Sequence, residues 1–143
     1  MKAGAWAASG AVVALGVVTA RQLGMVRRLP DPPGAMWDSD AVVMSRAAHP
    51  AGVPDGVPGM ASYGVTLALL LLAEDAEWVR PVARAKVMLD AAAAGMNAVR
   101  QVVVFRRMCS WCMAAVVCTA AMAWASREAR GTAAIRGVSA DRR

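Results

Sequence analysis

Cys109 and Cys112 stand two residues apart in Met108-Cys109-Ser110-Trp111-Cys112, at the head of the apolar run Met113 to Ala125. Two thiols at this spacing on the first turn of a helix can close a reversible disulfide or bind a soft metal. A structural zinc site completes a tetrahedron of Cys or His ligands. Only Cys118 and His49 remain as further candidates, so redox chemistry is the better reading and no metal site is expected. Free N–H groups of the first helical turn favour a thiolate at Cys109, and Arg106 and Arg107 add positive charge just upstream. Cys109 is therefore the expected reactive sulfur, with Cys112 one turn deeper and near enough to close the disulfide or to pass electrons inward. The bare spacing also fits two cysteines that only pack in an apolar helix. Their place at the mouth of a membrane helix, beside two arginines and the Trp111 indole, favours redox.

The elements that must position this pair are membrane helices. Hydrophobic residues make up 58% of the 143 and charged residues 18%, with the apolar residues gathered in blocks, which fits a bilayer better than a soluble domain. The net charge of +6 shows no interleaving of basic and aromatic residues, so nucleic acid is not an expected partner. Much of that charge sits in the tail, on Arg127, Arg130, Arg136, Arg142 and Arg143, as a cytoplasmic positive end would have it. Three cysteines within one short segment cannot staple a secreted domain.

Read in order, the chain predicts an all-α, integral membrane four-helix bundle over residues 1–126, with spans at about 4–20, 57–73, 82–105 and 108–126, and a basic, disordered tail over 127–143. Gly4 to Ala20 is uncharged and reads as a short first span. It competes with a cleaved signal peptide, since Val18-Thr19-Ala20 ends in small residues. Arg21 to Pro58 holds six of the seven prolines and is too long for a turn. Within it, Met36 to Arg46 has apolar residues at helical spacing. That suits either a short amphipathic helix on the membrane surface, capping the bundle, or a solvated connector.

The second span begins at Pro58, where a missing N–H is harmless, and runs into Leu69-Leu70-Leu71-Leu72. The third carries Arg84, Lys86, Asp90 and Arg100. Arg84 and Lys86 can snorkel, Asp90 lies one turn from Lys86, and the pairs Ala91/Gly95 and Ala94/Ala98 let helices approach closely. Four spans put both termini on one side. With the basic tail in the cytoplasm, the long loop and the CxxC face the outer side of a bacterial-type inner membrane, although Arg21, Arg27, Arg28 and Arg46 soften the contrast.

A span that opens with CxxC, preceded by three others and by a long loop between the first two, resembles the vitamin K epoxide reductase family of quinone-linked thiol oxidoreductases. Trp37-Asp38, Ser45-Arg46, Val53-Pro54-Asp55, Gly59 and Tyr63 resemble the segment leading into the second span of short bacterial members. The resemblance implies a four-helix bundle around a quinone of ubiquinone or menaquinone type. It makes Cys109 the sulfur that exchanges with an incoming thiol and Cys112 the one facing the ring, and it implies a thioredoxin-like protein as thiol donor. Many members carry a further cysteine pair in the long loop that shuttles electrons to the CxxC. This chain has no cysteine before Cys109, and Cys118, nine residues on, falls on the opposite helix face.

Two side chains are candidate quinone contacts. Trp111 could stack on the ring or anchor the membrane interface, and Tyr63 could bond a quinone carbonyl or simply pack. His49 reads as an exposed loop residue, Asp55 as a cap for the second span, and Cys118 as a small apolar residue. No phosphate loop, Ser/His/Asp set or metalloprotease pattern occurs. The function expected is transfer of electrons from a reduced protein thiol through the CxxC to a membrane quinone. The rival readings are a non-catalytic membrane subunit or assembly protein whose cysteines only pack, and a metal handler that borrows an outside ligand.

Overall fold

The computed structural model describes the backbone of residues 2–140 and the side chains of residues 2–128. Regular structure among these residues is helical: α1 (Lys2–Gln22), α2 (Ser39–Val43), α3 (Gly56–Asp75), α4 (Arg80–Arg100) and α5 (Ser110–Ala140). Tight 3-10 turns occupy Arg46–Ala48, Pro50–Gly52 and Glu77–Val79, and a wider π-helical turn, Gln101–Phe105, extends α4. Helix α1 packs on α3 and α5, and α4 packs on the same two partners.

Small residues set how closely these helices meet. Ala5, Ala8, Ala11 and Ala14 are buried on one stripe of α1, against Tyr63, Leu70 and Ala73 of α3 and Ala115 and Met122 of α5. In lipid, where apolar burial gives no net drive, such stripes gain packing by letting backbones approach. Gly10 lets α1 come close to α5, since a Cβ there would lie 2.9 Å from Cys118 Sγ. The outward faces carry the bulky apolar groups, among them Trp6, Leu72, Leu89, Met96, Val103 and Trp124. Exposed apolar surface on this scale suits lipid contact. Lys2–Gln22, Gly56–Asp75 and Glu77–Phe105 are each long and apolar enough to cross a membrane.

The charges of α4 are not left bare in this setting. Lys86 Nζ pairs with Asp90 and donates to Ser62 Oγ and Thr66 Oγ1 at 2.9 Å each, while Thr66 Oγ1 donates to Asp90 Oδ2 at 2.5 Å. One buried polar cluster thus joins α3 to α4.

The long connection between α1 and α3 is folded rather than loose, and Gln22 is the reason. Its Oε1 accepts Gly56 N–H at 3.0 Å, and its Nε2 reaches Asp55 Oδ1 at 2.7 Å and Val43 O at 3.2 Å. Gly56 is required there, because a Cβ would lie 2.5 Å from Thr19 Oγ1 and 2.7 Å from Gln22 Oε1. Asp55 sits at the N-cap of α3 as expected from sequence but makes no capping bond, its carboxylate being taken by Gln22. The helix anticipated over Met36 to Arg46 is the five-residue α2, capped by Asp38, whose Oδ1 accepts Ala41 N–H at 3.0 Å. At the other end, α5 does not stop near Ser126: its backbone is helical to Ala140. The basic tail expected over 127–143 otherwise falls on side chains and terminal residues outside those described.

Candidate active site

The CxxC begins where three segments converge. Trp37 and Met108 pair through their backbones, Met108 N–H donating to Met36 O at 2.7 Å and Asp38 N–H to Met108 O at 3.0 Å. Arg107 adds an ion pair to Asp38, and Arg21 binds Asp40 at 2.6 Å. These bonds lay the loop across the head of α5. Leu29, Val42 and Val43 then pack against Cys109 and Cys112 together with Val18.

Cys109 is fully buried and its sulfur accepts the Cys112 backbone N–H at 3.1 Å, so the first turn of α5 does aim a donor at it. Its own N–H donates to Gln101 Oε1 at 2.7 Å. Gln101 reaches Cys109 from the π-helical turn, a form of helix that recurs at functional positions. Neither Gln101 nor Gln22 is marked by the sequence, because a glutamine in an apolar stretch has no spacing signature of its own. All three cysteines are free thiols, and Cys118 is half-buried beside Gly10.

Above Cys109 lies a network that sequence reading also missed. Ser39, fully buried at the start of α2, lays its hydroxyl against the head of α5. The same hydroxyl donates to Asp31 Oδ1 at 2.5 Å, and Ser39 N–H donates to Asp31 Oδ2 at 2.7 Å. Ser110 completes the set, its hydroxyl donating to Asp31 Oδ1 at 2.7 Å and its N–H to Ser39 Oγ at 3.0 Å. Partial burial alone would raise the Asp31 pKa, but the bonds from Ser39 and Ser110 outweigh it and hold the carboxyl below its ordinary value of 3.8.

Below the pair opens a cavity of about 290 Å³, walled by Cys112 with Leu15, Tyr63, Asn97, Arg100 and Phe105. Its walls are mostly apolar with a few convergent polar groups, the usual make-up of a small-molecule site. The two sulfurs therefore differ in outlook. Cys112 faces the cavity, while Cys109 lies beneath the loop.

A model of the vitamin K epoxide reductase family matches residues 3–126. The chain belongs to that family. No curated protein matches it. Membership, with three apolar helices of spanning length, makes this an integral membrane protein of a thiol oxidoreductase family. Of the two aromatic candidates, Tyr63 lines the cavity, though its hydroxyl bonds Thr119 Oγ1 at 2.5 Å. Trp111 does not line it: the indole packs with the loop cluster, and Nε1 donates to Pro30 O at 3.2 Å. Arg100 and Asn97 do line it, from the last turn of α4 just before Gln101, a placement that could not be read from residue types. His49 is half-buried in the loop, its Nδ1 3.1 Å from Ser45 O. No group of three metal-ligating side chains occurs among the described residues.

Proposed function

We propose that this family member is a quinone-linked membrane thiol–disulfide oxidoreductase, built as a four-helix transmembrane bundle in which the start of α5 forms the fourth span. The single observation that carries the reading is the cavity with Cys112 in its wall. Its apolar sides suit a flat ring of ubiquinone or menaquinone type, and Asn97, Arg100 and Tyr63 are the polar groups that would orient ring oxygens. A bound quinone supplies a sink for two electrons and two protons.

The chain's own residues do the rest. Cys109 exchanges with a reduced protein thiol of thioredoxin-like chemistry, and Cys112 presents its sulfur to the cavity. Cys112 is itself buried among Val18, Val42 and Val43, which limits water at that sulfur. Because Cys109 is fully covered by the loop, exchange with a protein partner requires the loop to yield locally. The loop and the CxxC face the outer side of a bacterial-type inner membrane, with the basic end of α5 in the cytoplasm.

The deciding experiment is dithiol-dependent quinone reduction by purified protein, wild type beside Cys109→Ser and Cys112→Ser. Turnover in the wild type and loss in both variants is the expected result; full activity in both variants removes the reading. Complete burial of Cys109 is the observation that favours the alternative, a non-catalytic membrane subunit with packing cysteines. Thiol trapping across a range of redox potentials separates the two: packing cysteines never form a Cys109–Cys112 disulfide and label only after denaturation.

A further inference from the structure

One group in the wall of the cavity has no task in the reading above. Asp55 lines the cavity together with Cys112 and Arg100. Its place before α3 does not explain a carboxylate, since the side chain makes no capping bond to that helix. Gln22 Nε2 donates to Asp55 Oδ1 at 2.7 Å and so fixes the side chain. The second oxygen, Oδ2, accepts no hydrogen bond among the described residues, and Asp55 forms no ion pair there, although Arg100 stands in the same wall.

The other polar wall groups are unsuited to carrying a proton. Arg100 keeps its proton throughout, and Asn97 can orient an oxygen but neither gives nor takes one. The Tyr63 hydroxyl is engaged with Thr119 Oγ1 at 2.5 Å. Asp55 is left as the wall side chain, besides the Cys112 thiol, that can both take and give a proton. At about 290 Å³ the cavity lies at the lower end of small-molecule sites, so a ring that fills it lies against Asp55 and Cys112 at once.

We propose that Asp55 is the proton carrier between Cys112 and a quinone ring oxygen. The inference rests on the quinone-linked reading given above. Cys109 enters the step as a thiolate and Cys112 as a thiol. The Cys112 S–H bond breaks and its proton passes to Asp55 Oδ2, the S–S bond to Cys109 forms, and two electrons leave the sulfurs for the ring. Asp55 gives the proton to one ring oxygen and returns to a carboxylate. Water beside the exposed Arg100 supplies the second proton to the other ring oxygen, leaving a disulfide and a quinol. A carboxylate accepts hydrogen bonds and donates none, so Asp55 in that state favours a ring hydroxyl over an ether at the same point.

The test measures binding by calorimetry to the redox-inert Cys109→Ser/Cys112→Ser protein, full length and in detergent. The probes are a short-chain hydroquinone and its dimethyl ether, which lacks the ring hydroxyls. The hydroquinone should bind about tenfold tighter, as a hydrogen bond to a charged acceptor allows. Asp55→Asn, which keeps an acceptor for Gln22, should bring the two affinities to within about twofold, and Asp55→Glu should restore part of the preference. With both cysteines present, Asp55→Asn should lower dithiol-dependent quinone turnover by about a hundredfold. An unchanged preference or full turnover in Asp55→Asn overturns the proposal. If that variant does not fold, the wild-type chain decides: hydroquinone should protect Asp55 from labelling by a membrane-permeant carbodiimide, and labelling that hydroquinone leaves unaltered overturns it. A wild type without turnover overturns the quinone-linked reading itself, whereas wild-type turnover with an Asp55-independent preference overturns this proposal alone.

Discussion

Gln101 Oε1 accepts the backbone N–H of Cys109 at 2.7 Å, so the first cysteine of the CxxC is held by a side chain eight residues upstream. Both residues are fully buried. Replacing Gln101 by Ala would leave that N–H without a partner in a dry site, which costs about 1 to 3 kcal/mol. The thermal midpoint of the detergent-solubilised protein should fall, and Gln101→Glu, which keeps an acceptor oxygen, should recover part of the loss. Equal midpoints for wild type and Gln101→Ala would show that the bond contributes nothing.

Ser39 Oγ accepts the backbone N–H of Ser110, the residue after Cys109, at 3.0 Å, and Val42 and Val43 of the same helix pack in the cluster that holds Cys109. In a Cys112→Ser background, Ser39→Cys should oxidise to a disulfide between positions 39 and 109, visible by mass spectrometry of the unreduced digest. Formation requires Cα atoms about 4.4 to 6.8 Å apart. Recovery of two free thiols under oxidising conditions would mean that α2 does not sit over Cys109 in solution.

Asp31 gives the loop a pH dependence of defined sign. Its folded-state pKa is depressed, because bonds from Ser39 and Ser110 outweigh the effect of burial. The carboxylate therefore stabilises the docked loop fully above the ordinary value of 3.8, and that contribution disappears as pH falls through the lower folded value. Limited proteolysis within residues 23–55 should accelerate at acid pH in wild type. In Asp31→Asn, cleavage should already be faster at neutral pH and lose this acid-dependent step.

Lys86 and Asp90 test the membrane setting. Lys86→Met alone leaves Asp90 buried without its partner and should destabilise the fold by about 3 kcal/mol or more. The double variant Lys86→Met/Asp90→Leu should restore most of the loss, read as the thermal midpoint or as resistance to denaturing detergent. A single variant as stable as wild type would place this pair in contact with water.

The parts legible in the sequence are those with a local signature. Apolar runs marked α1 and α3, the spacing of four marked the Lys86–Asp90 pair, and two thiols at CxxC spacing marked the head of α5. What escaped notice acts over long separations through single polar side chains. Gln22 holds Gly56, 34 residues away, and Ser39 meets Ser110, 71 residues away. Nothing about glutamine or serine in isolation signals such a partner. The end of α5 was missed for a different reason: Glu128, Ala129 and Arg130 are good helix formers, so the change from apolar to charged residues at Ser126 marks a change of environment and not a helix end.

The wide turn at Gln101–Phe105 closes α4: Arg106 behind it sits in the left-handed region at φ 51°, so the helix stops and the chain doubles back towards the CxxC. Within these five residues Gln101 grips Cys109, Val102 to Val104 face outward and Phe105 returns to the cavity wall. Deleting one residue between Gln101 and Phe105 would swing Phe105 by about 100° relative to Gln101, so the turn could then serve the cysteine or the wall, but not both.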